Sequence, residues 1–291
     1  MTQNIYDNDE FFAGYLRLPR SVAGLEGAPE WPALRAMLPD LHGRTVLDLG
    51  CGFGWFCRWA REQGAAYVAG IDVSEKMLAR ARADTQDDSI SYTLADMERI
   101  ELPPQSFGLV YSSLALHYVE KLDRLMAEVH RALIAGGSLV VSVEHPIYTA
   151  PRNPGWTGDA AGGKSWPVDS YLDEGPRSTD WLTKGVIKHH RTLATYVNMV
   201  IGLGFTLCNV EEWAPSEEQI AAHPAVRKYV LQVQRRKHAA FVVQHDHQNG
   251  KATNSIELRY PAFHFYLIVS CLASTWACGS RSLCRARYSS Q

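Results

Sequence analysis

The chain has 291 residues, of which 46% are hydrophobic and 21% charged, a balance that excludes a disordered or fibrous protein. The length suffices for one large domain or two small ones with a sizeable core. Lys and Arg total 29 against 31 Asp and Glu, and a net charge of −2 lacks the basic footprint of a nucleic-acid binder.

The opening MTQNIYDNDEFF is polar and acidic, with no basic stretch ahead of an apolar run. No signal peptide is therefore expected, and the expected compartment is the cytoplasm. Cysteines at 51, 57, 208, 271, 278 and 284 form no CxxC pair. They read as small thiols in a reducing compartment, with no metal site.

Residues 1–42 carry Tyr6, Phe11, Phe12 and Tyr15, then Pro29, Pro32 and Pro39. They read as a short helical cap and a turn-rich approach. TVLDLG at 45–50 is an apolar run ending in Gly, the pattern of a buried parallel strand. An amphipathic helix over 54–64 stops at Gly64. A strand follows at 67–72, then a helix over 74–84 with Ser74 as N-cap, and strands at 90–96 and 107–116. A helix is expected over 123–137, ended by a Gly pair, and a fifth strand over 138–144. This alternation predicts right-handed crossovers and a parallel sheet.

The rhythm breaks at His145. Residues 146–190 hold five Pro (146, 151, 154, 167 and 176) with Trp156, Trp166 and Trp181, and read as a functional insertion. It resumes with a helix over 192–204, a strand over 205–213, a helix near 216–236 and a last strand over 239–244. The segment 245–291 reads as an extension of low order appended to a domain complete at 244. Its apolar run 262–279 is interrupted by His264, Ser270, Ser274 and Thr275, a poor membrane span.

The sharpest feature is Asp48-Leu-Gly50-Cys-Gly52-Phe-Gly54, directly after a strand and opening a helix. Glycines there let the backbone turn tightly and approach a ligand, and the helix N-terminal amides face it. A dinucleotide fold wants a small residue where Trp55 stands, which counts against NAD or FAD. The loop fits a nucleoside cofactor without a pyrophosphate. Asp72 ends the second strand about 20 residues on, where a carboxylate can accept both ribose hydroxyls. Asp96 ends the third strand, where a carboxylate can accept from an adenine amino group, with Met97 against the ring. Ser112 and Leu114 lie at the carboxyl edge of the fourth strand, where ligands of such sheets bind.

VLDLGCGFG, GIDVS, LADM, FGLVYSSLALHYV and ALIAGGSLVVSVEHP occur in that order. With these motifs the chain resembles the class I S-adenosylmethionine-dependent methyltransferases, of the small-molecule kind that includes ubiquinone/menaquinone-type enzymes. The resemblance spans about 45–244. It implies a Rossmann-like α/β three-layer sandwich, with a seven-stranded, mostly parallel sheet of order 3-2-1-4-5-7-6 and an antiparallel last strand. It also implies S-adenosylmethionine held by Asp48, Gly50, Cys51, Gly52, Asp72, Val73, Asp96, Met97, Ser112 and Leu114, with Asp48 holding the glycine loop.

A sulfonium methyl is already activated, so the enzyme must align the acceptor and exclude water. Oxygen, nitrogen or carbon acceptors can need a base, and His117, His145 and His190 stand where one could serve. His189 reads as solvated. The insertion is expected to be an acceptor lid, with Trp156, Trp166, Tyr171 and Trp181 as an aromatic wall. Tyr15 and Arg20 are candidates to close over the cofactor. The expected partner is a small-molecule acceptor, with neither nucleic acid nor membrane, on a monomer or homodimer. A nucleic-acid methyltransferase would carry Asn/Asp-Pro-Pro-aromatic where YSSLALHY stands. A protein methyltransferase, or a non-catalytic binder of the same cofactor, shares the scaffold.

Overall fold

A computed structural model of the chain describes residues 3–158, 164–214, 216–222 and 266–273. Three short helices open it: α1 (Asp9–Tyr15), α2 (Pro19–Val22) and α3 (Trp31–Ala36). The alternating body follows as β1 (Thr45–Leu49), α4 (Trp55–Glu62), β2 (Tyr67–Asp72), α5 (Glu75–Ala83), β3 (Ile90–Leu94), β4 (Phe107–Ser113), α6 (Leu122–Ala132) and β5 (Leu133–Glu144). The insertion contains α7 (Pro146–Thr149) and two antiparallel pairs. These are β6 (Thr157–Gly158) with β7 (Lys164–Ser165), and β8 (Gly175–Thr179) with β9 (Val186–His190). The chain then returns through α8 (Leu193–Gly202), β10 (Phe205–Trp213), α9 (Glu217–Ala222) and β11 (Tyr266–Ala273).

One sheet holds seven strands in the order β10-β11-β5-β4-β1-β2-β3. Strands β1 to β5 run parallel, and β11 lies antiparallel to both β5 and β10. Numbered within the sheet, this is the expected order 3-2-1-4-5-7-6. Strand side chains alternate between faces, so the sheet feeds two cores. Leu47, Val110, Leu139 and Val141 pack with α6 and α8 on one side. Val46, Leu109, Tyr111 and Val140 pack with α3 and α4 on the other. That is the three-layer sandwich.

Two boundaries differ from the sequence reading. Helix α6 stops at Ala132, because Leu133 is already extended and pairs with Phe107. The next pair in that ladder is Leu109 with Ser138, so the Gly pair lies in an irregularity of β5 and caps no helix. Gly136, at φ 74°, supplies its left-handed turn. The second correction concerns the seventh strand. The slot beside β5 is filled by 266–273, in register Tyr266↔Glu144 to Leu272↔Ser138. The segment set apart as an extension therefore contributes a central strand, and its apolar character comes from the sheet. The expected strand at 239–244 lies outside the described residues.

Candidate active site

The glycine turn follows from local sterics. Gly50, Gly52 and Gly54 all sit at positive φ, at 77°, 52° and 70°, where a Cβ costs roughly 1–2 kcal/mol. A Cβ at Gly50 would lie 2.4 Å from that of Ala115, and one at Gly54 would lie 2.1 Å from the Tyr92 hydroxyl oxygen. At Gly52 nothing stands within 4 Å. Two glycines thus let chain elements close up, and the third leaves room. The room belongs to a cavity of about 1300 Å³ at the carboxyl edge of the sheet.

Gly50, Gly52, Asp72, Val73, Met97 and Leu114 line that cavity, six of the ten expected cofactor contacts. Asp72 accepts from the Gly52 amide and from the Ser74 amide, both at 2.9 Å, and so pins the loop to the start of α5. Burial raises its pKa above the ordinary carboxylate value, against the lowering by these amides. Leu114 holds the unusual φ of 54° at the end of β4, tied by its amide to the Ser142 carbonyl.

The other four sit behind the wall or beside it. Asp48 is buried, accepts from the Cys57 thiol at 3.4 Å, and is pushed up to about 7 by burial. Cys51 is buried beside Cys57, and a Cβ on Gly70 would touch both sulfurs. The Ser112 hydroxyl donates to the Leu49 carbonyl at 2.7 Å, and Ser113 lines the cavity in its stead. Asp96 accepts from the Glu98 amide at 3.0 Å, capping the turn after β3.

The N-terminal segment closes this end. Asp7 accepts from the Ser74 hydroxyl at 2.6 Å and from the Lys76 and Glu75 amides, a carboxylate placed on the start of α5. Burial pushes it up, but those bonds prevail and hold it below the usual range. Tyr6, Tyr15 and Arg20 thereby reach the cavity wall, and Arg20 pairs with the buried Glu30 at 2.9 Å.

The insertion builds the opposite wall. Tyr148 and Trp166 stack at 4.6 Å, and Trp156 meets Trp166 edge-on at 5.4 Å. Trp181 also lines the cavity, whereas Tyr171 lies off it, its carbonyl accepting from His190 and its hydroxyl from the Leu193 amide.

The three histidines separate. His117 lines the cavity, and its Nδ1 accepts from the Glu144 amide at 3.4 Å. Burial lowers its pKa to about 4, so it is neutral at physiological pH. Its Nε2 makes no hydrogen bond among the described residues. His145 and His190 are not on the lining, and the structure makes each a pin. His145 Nδ1 accepts from the Ile147 amide, capping α7, while Nε2 meets Glu212 at 2.6 Å. His190 Nε2 donates to the Tyr171 carbonyl, which leaves Nδ1 to accept from Thr149, both at 2.8 Å. With both nitrogens of each ring engaged, neither is free to take an acceptor's proton. His189 is half-buried on the alternate face of β9.

Among the cavity residues that escaped the sequence reading, two form an ion pair. Glu144 ends β5 and Lys188 lies in the middle of β9, and their Oε1 and Nζ are 2.5 Å apart. The VIKHH run alternates as β strands do, with Val186, Lys188 and His190 buried on one face. Polarity alone places a lysine on the other.

A family model described as a methyltransferase domain matches residues 47–141. The crystal structure of an S-adenosylmethionine dependent methyltransferase from Mesorhizobium loti is 51% identical, covers 86% of this chain and 100% of its own, and gives a TM-score of 0.70. An uncharacterized protein of Haemophilus influenzae is 35% identical over 72% of this chain and 85% of its own length. A malonyl-[acyl-carrier protein] O-methyltransferase of Enterobacter lignolyticus is 40% identical over 37% of this chain and 41% of its own length.

Proposed function

The chain belongs to the S-adenosylmethionine-dependent methyltransferases, and we propose that it transfers the methyl group to a small-molecule acceptor held under the insertion. What carries this reading is the single cavity that joins the glycine loop to the aromatic wall. Sites for one ligand usually measure about 300–1000 Å³. A cavity of about 1300 Å³ suits a cofactor and a small acceptor side by side. Its walls of Tyr6, Tyr148, Trp156, Trp166 and Trp181 suit a compact, partly apolar molecule better than a folded protein surface.

The residues at the loop end fit the cofactor. The space left at Gly52 admits a ligand against the backbone, and Asp72 stands at the strand end to accept ribose hydroxyls. Met97 and Val73 offer apolar surface for the base. When bound, the cofactor supplies a methyl group on a positively charged sulfur. The chain's task is then to bind, orient and keep dry. Asp7 and Asn4, the latter donating to the Val73 carbonyl at 3.0 Å, clamp the N-terminal segment over this end. The insertion covers the other, so the reacting atoms meet away from water.

Transfer of a labelled methyl group from S-adenosylmethionine into a cell extract tests the reading, with products split by ultrafiltration. The label is expected in the small-molecule filtrate. Label retained on protein would overturn the small-molecule acceptor in favour of a protein one.

A further inference from the structure

The pair Glu144 and Lys188 is expensive in its setting. Lys188 is 3% exposed, and its ammonium lies 5.1 Å from the Trp181 ring centroid and 6.0 Å from that of Tyr118. A buried ion pair rarely adds stability over an apolar replacement of similar volume. The two charges sit on the cavity wall, at the carboxyl end of β5. His117, itself on the lining, is bonded to the Glu144 amide, and Tyr6, Asp72, Glu144 and Lys188 line the same cavity. The pair therefore shares one cavity with the cofactor end and with the aromatic wall, and Lys188 lies against Trp181 of that wall.

We propose that the acceptor is a flat aromatic ring bearing a hydroxyl group, with Glu144 taking the hydroxyl proton and Lys188 steadying the oxyanion. This rests on the small-molecule reading above. The charges select among acceptor chemistries. A carboxylate acceptor needs no base, so it would use only the ammonium of Lys188. An alkyl amine, cationic at neutral pH, has no developing negative charge to steady, so it would use only the carboxylate of Glu144. A hydroxyl group uses both charges at once. Phenolic hydroxyls ionise near 10, within reach of a carboxylate assisted by an ammonium, whereas alkyl alcohols are far weaker acids. The stacked Tyr148 and Trp166, with Trp166 Nε1 fixed on the Ile147 carbonyl at 3.2 Å, offer the flat surface for the ring.

The step balances. The O–H bond breaks and its proton passes to the Glu144 carboxylate. The oxygen forms a bond to the methyl carbon as the carbon–sulfur bond breaks, its electron pair staying on sulfur. Once protonated, Glu144 loosens its hold on Lys188, whose ammonium turns to the developing negative charge. The products are the aryl methyl ether, the neutral thioether and one proton.

Three rings of equal size test the acceptor: para-nitrophenol, para-nitroaniline and para-nitrobenzoate, each with S-adenosylmethionine and the full chain, read by S-adenosylhomocysteine formation. Only the phenol is expected to turn over. Glu144→Gln is expected to slow unsubstituted phenol about 100-fold, and the more acidic para-nitrophenol much less. A second readout needs no turnover. With S-adenosylhomocysteine bound, at a pH where free para-nitrophenol is mostly protonated, binding is expected to raise its phenolate band. Lys188→Met should abolish the band and Lys188→Arg restore it, with S-adenosylhomocysteine affinity within about threefold of wild type. Preferred turnover of the aniline or benzoate would overturn the proposal. So would absence of both phenol turnover and the band in a wild-type chain that binds S-adenosylhomocysteine, or a band indifferent to Lys188→Met. Failure of the wild type to bind S-adenosylhomocysteine would instead overturn the cofactor reading beneath it.

Discussion

The glycine-loop half of the cavity and its insertion half are built by different means. Around β1, β2 and β4 the chain positions its ligand-facing groups by local geometry: positive-φ glycines, a carboxylate at a strand end, and amides at the start of α5. In the insertion, position comes from contacts between distant segments. Arg177 is buried and donates to the carbonyls of Ala150, Ser170 and Asp173. His190 links Thr149 to Tyr171, and Lys188 reaches Glu144. Local geometry suits a ligand shared by a whole family, whereas a lid held by side chains can be rebuilt for each acceptor.

If that division is right, loop substitutions should strike fold and cofactor, and insertion pins should strike stability and acceptor alone. The largest effect is expected at Gly50. Its Cβ would collide with Ala115 at 2.4 Å and carry the left-handed penalty as well, so Gly50→Ala should cost about 4 kcal/mol in denaturant unfolding. Gly52→Ala faces open space and should cost only about 1 kcal/mol, yet weaken S-adenosylhomocysteine binding by intruding on the cavity. Equal losses of stability in the two variants would erase the distinction between a packing glycine and a cradle glycine.

Protonation gives the next effect, with opposite signs at two buried groups. His117 titrates near 4 in the fold against an ordinary 6.5, so the unfolded chain binds more protons between these values. Its contribution is lost as pH falls from 6.5 towards 4, up to about 3 kcal/mol. Asp48 titrates near 7 against an ordinary 3.8, so the folded chain holds the extra proton. Its contribution is full below 3.8 and is lost as pH rises towards 7, by about 4 kcal/mol. Relative to wild type, His117→Asn should gain stability towards acid and Asp48→Asn should gain it towards neutrality. Stability curves without ligand, recorded from pH 4 to 7, check both slopes.

Smaller losses are expected at the pins. His190→Ala removes the bonds to the Thr149 hydroxyl and the Tyr171 carbonyl and should cost about 2 kcal/mol. His145→Ala removes the cap of α7 and should cost about 1 kcal/mol. Thermal melts measure these costs. Cofactor affinity should stay within about twofold of wild type in both variants, and a larger change would show that the two halves are coupled.

The same division explains what was legible in the chain. The strands at 45–49, 67–72 and 107–113 are apolar runs between turn residues, and Ser74 caps its helix as its type suggests, accepting from the Met77 amide at 3.1 Å. Asp72 and the glycines follow from spacing. The seventh strand was not legible, because AAFVVQ and YLIVSCLA are equally strand-like, and pairing with β5 decides between candidates. The roles of His145 and His190 were hidden for a related reason. A histidine's type announces chemistry, but only tertiary partners reveal that both ring nitrogens are engaged. Lys188 was the hardest, since its burial depends on Glu144, a residue 44 positions away.

The central claim, that the loop half holds the cofactor, is tested most directly by calorimetric titration of the full chain and of Asp72→Ala with S-adenosylhomocysteine and with NAD. The account predicts binding of S-adenosylhomocysteine and none of NAD, with affinity falling about 100-fold in Asp72→Ala as the ribose and Gly52 amide lose their acceptor. Unchanged affinity in that variant, or preference for NAD, would contradict it.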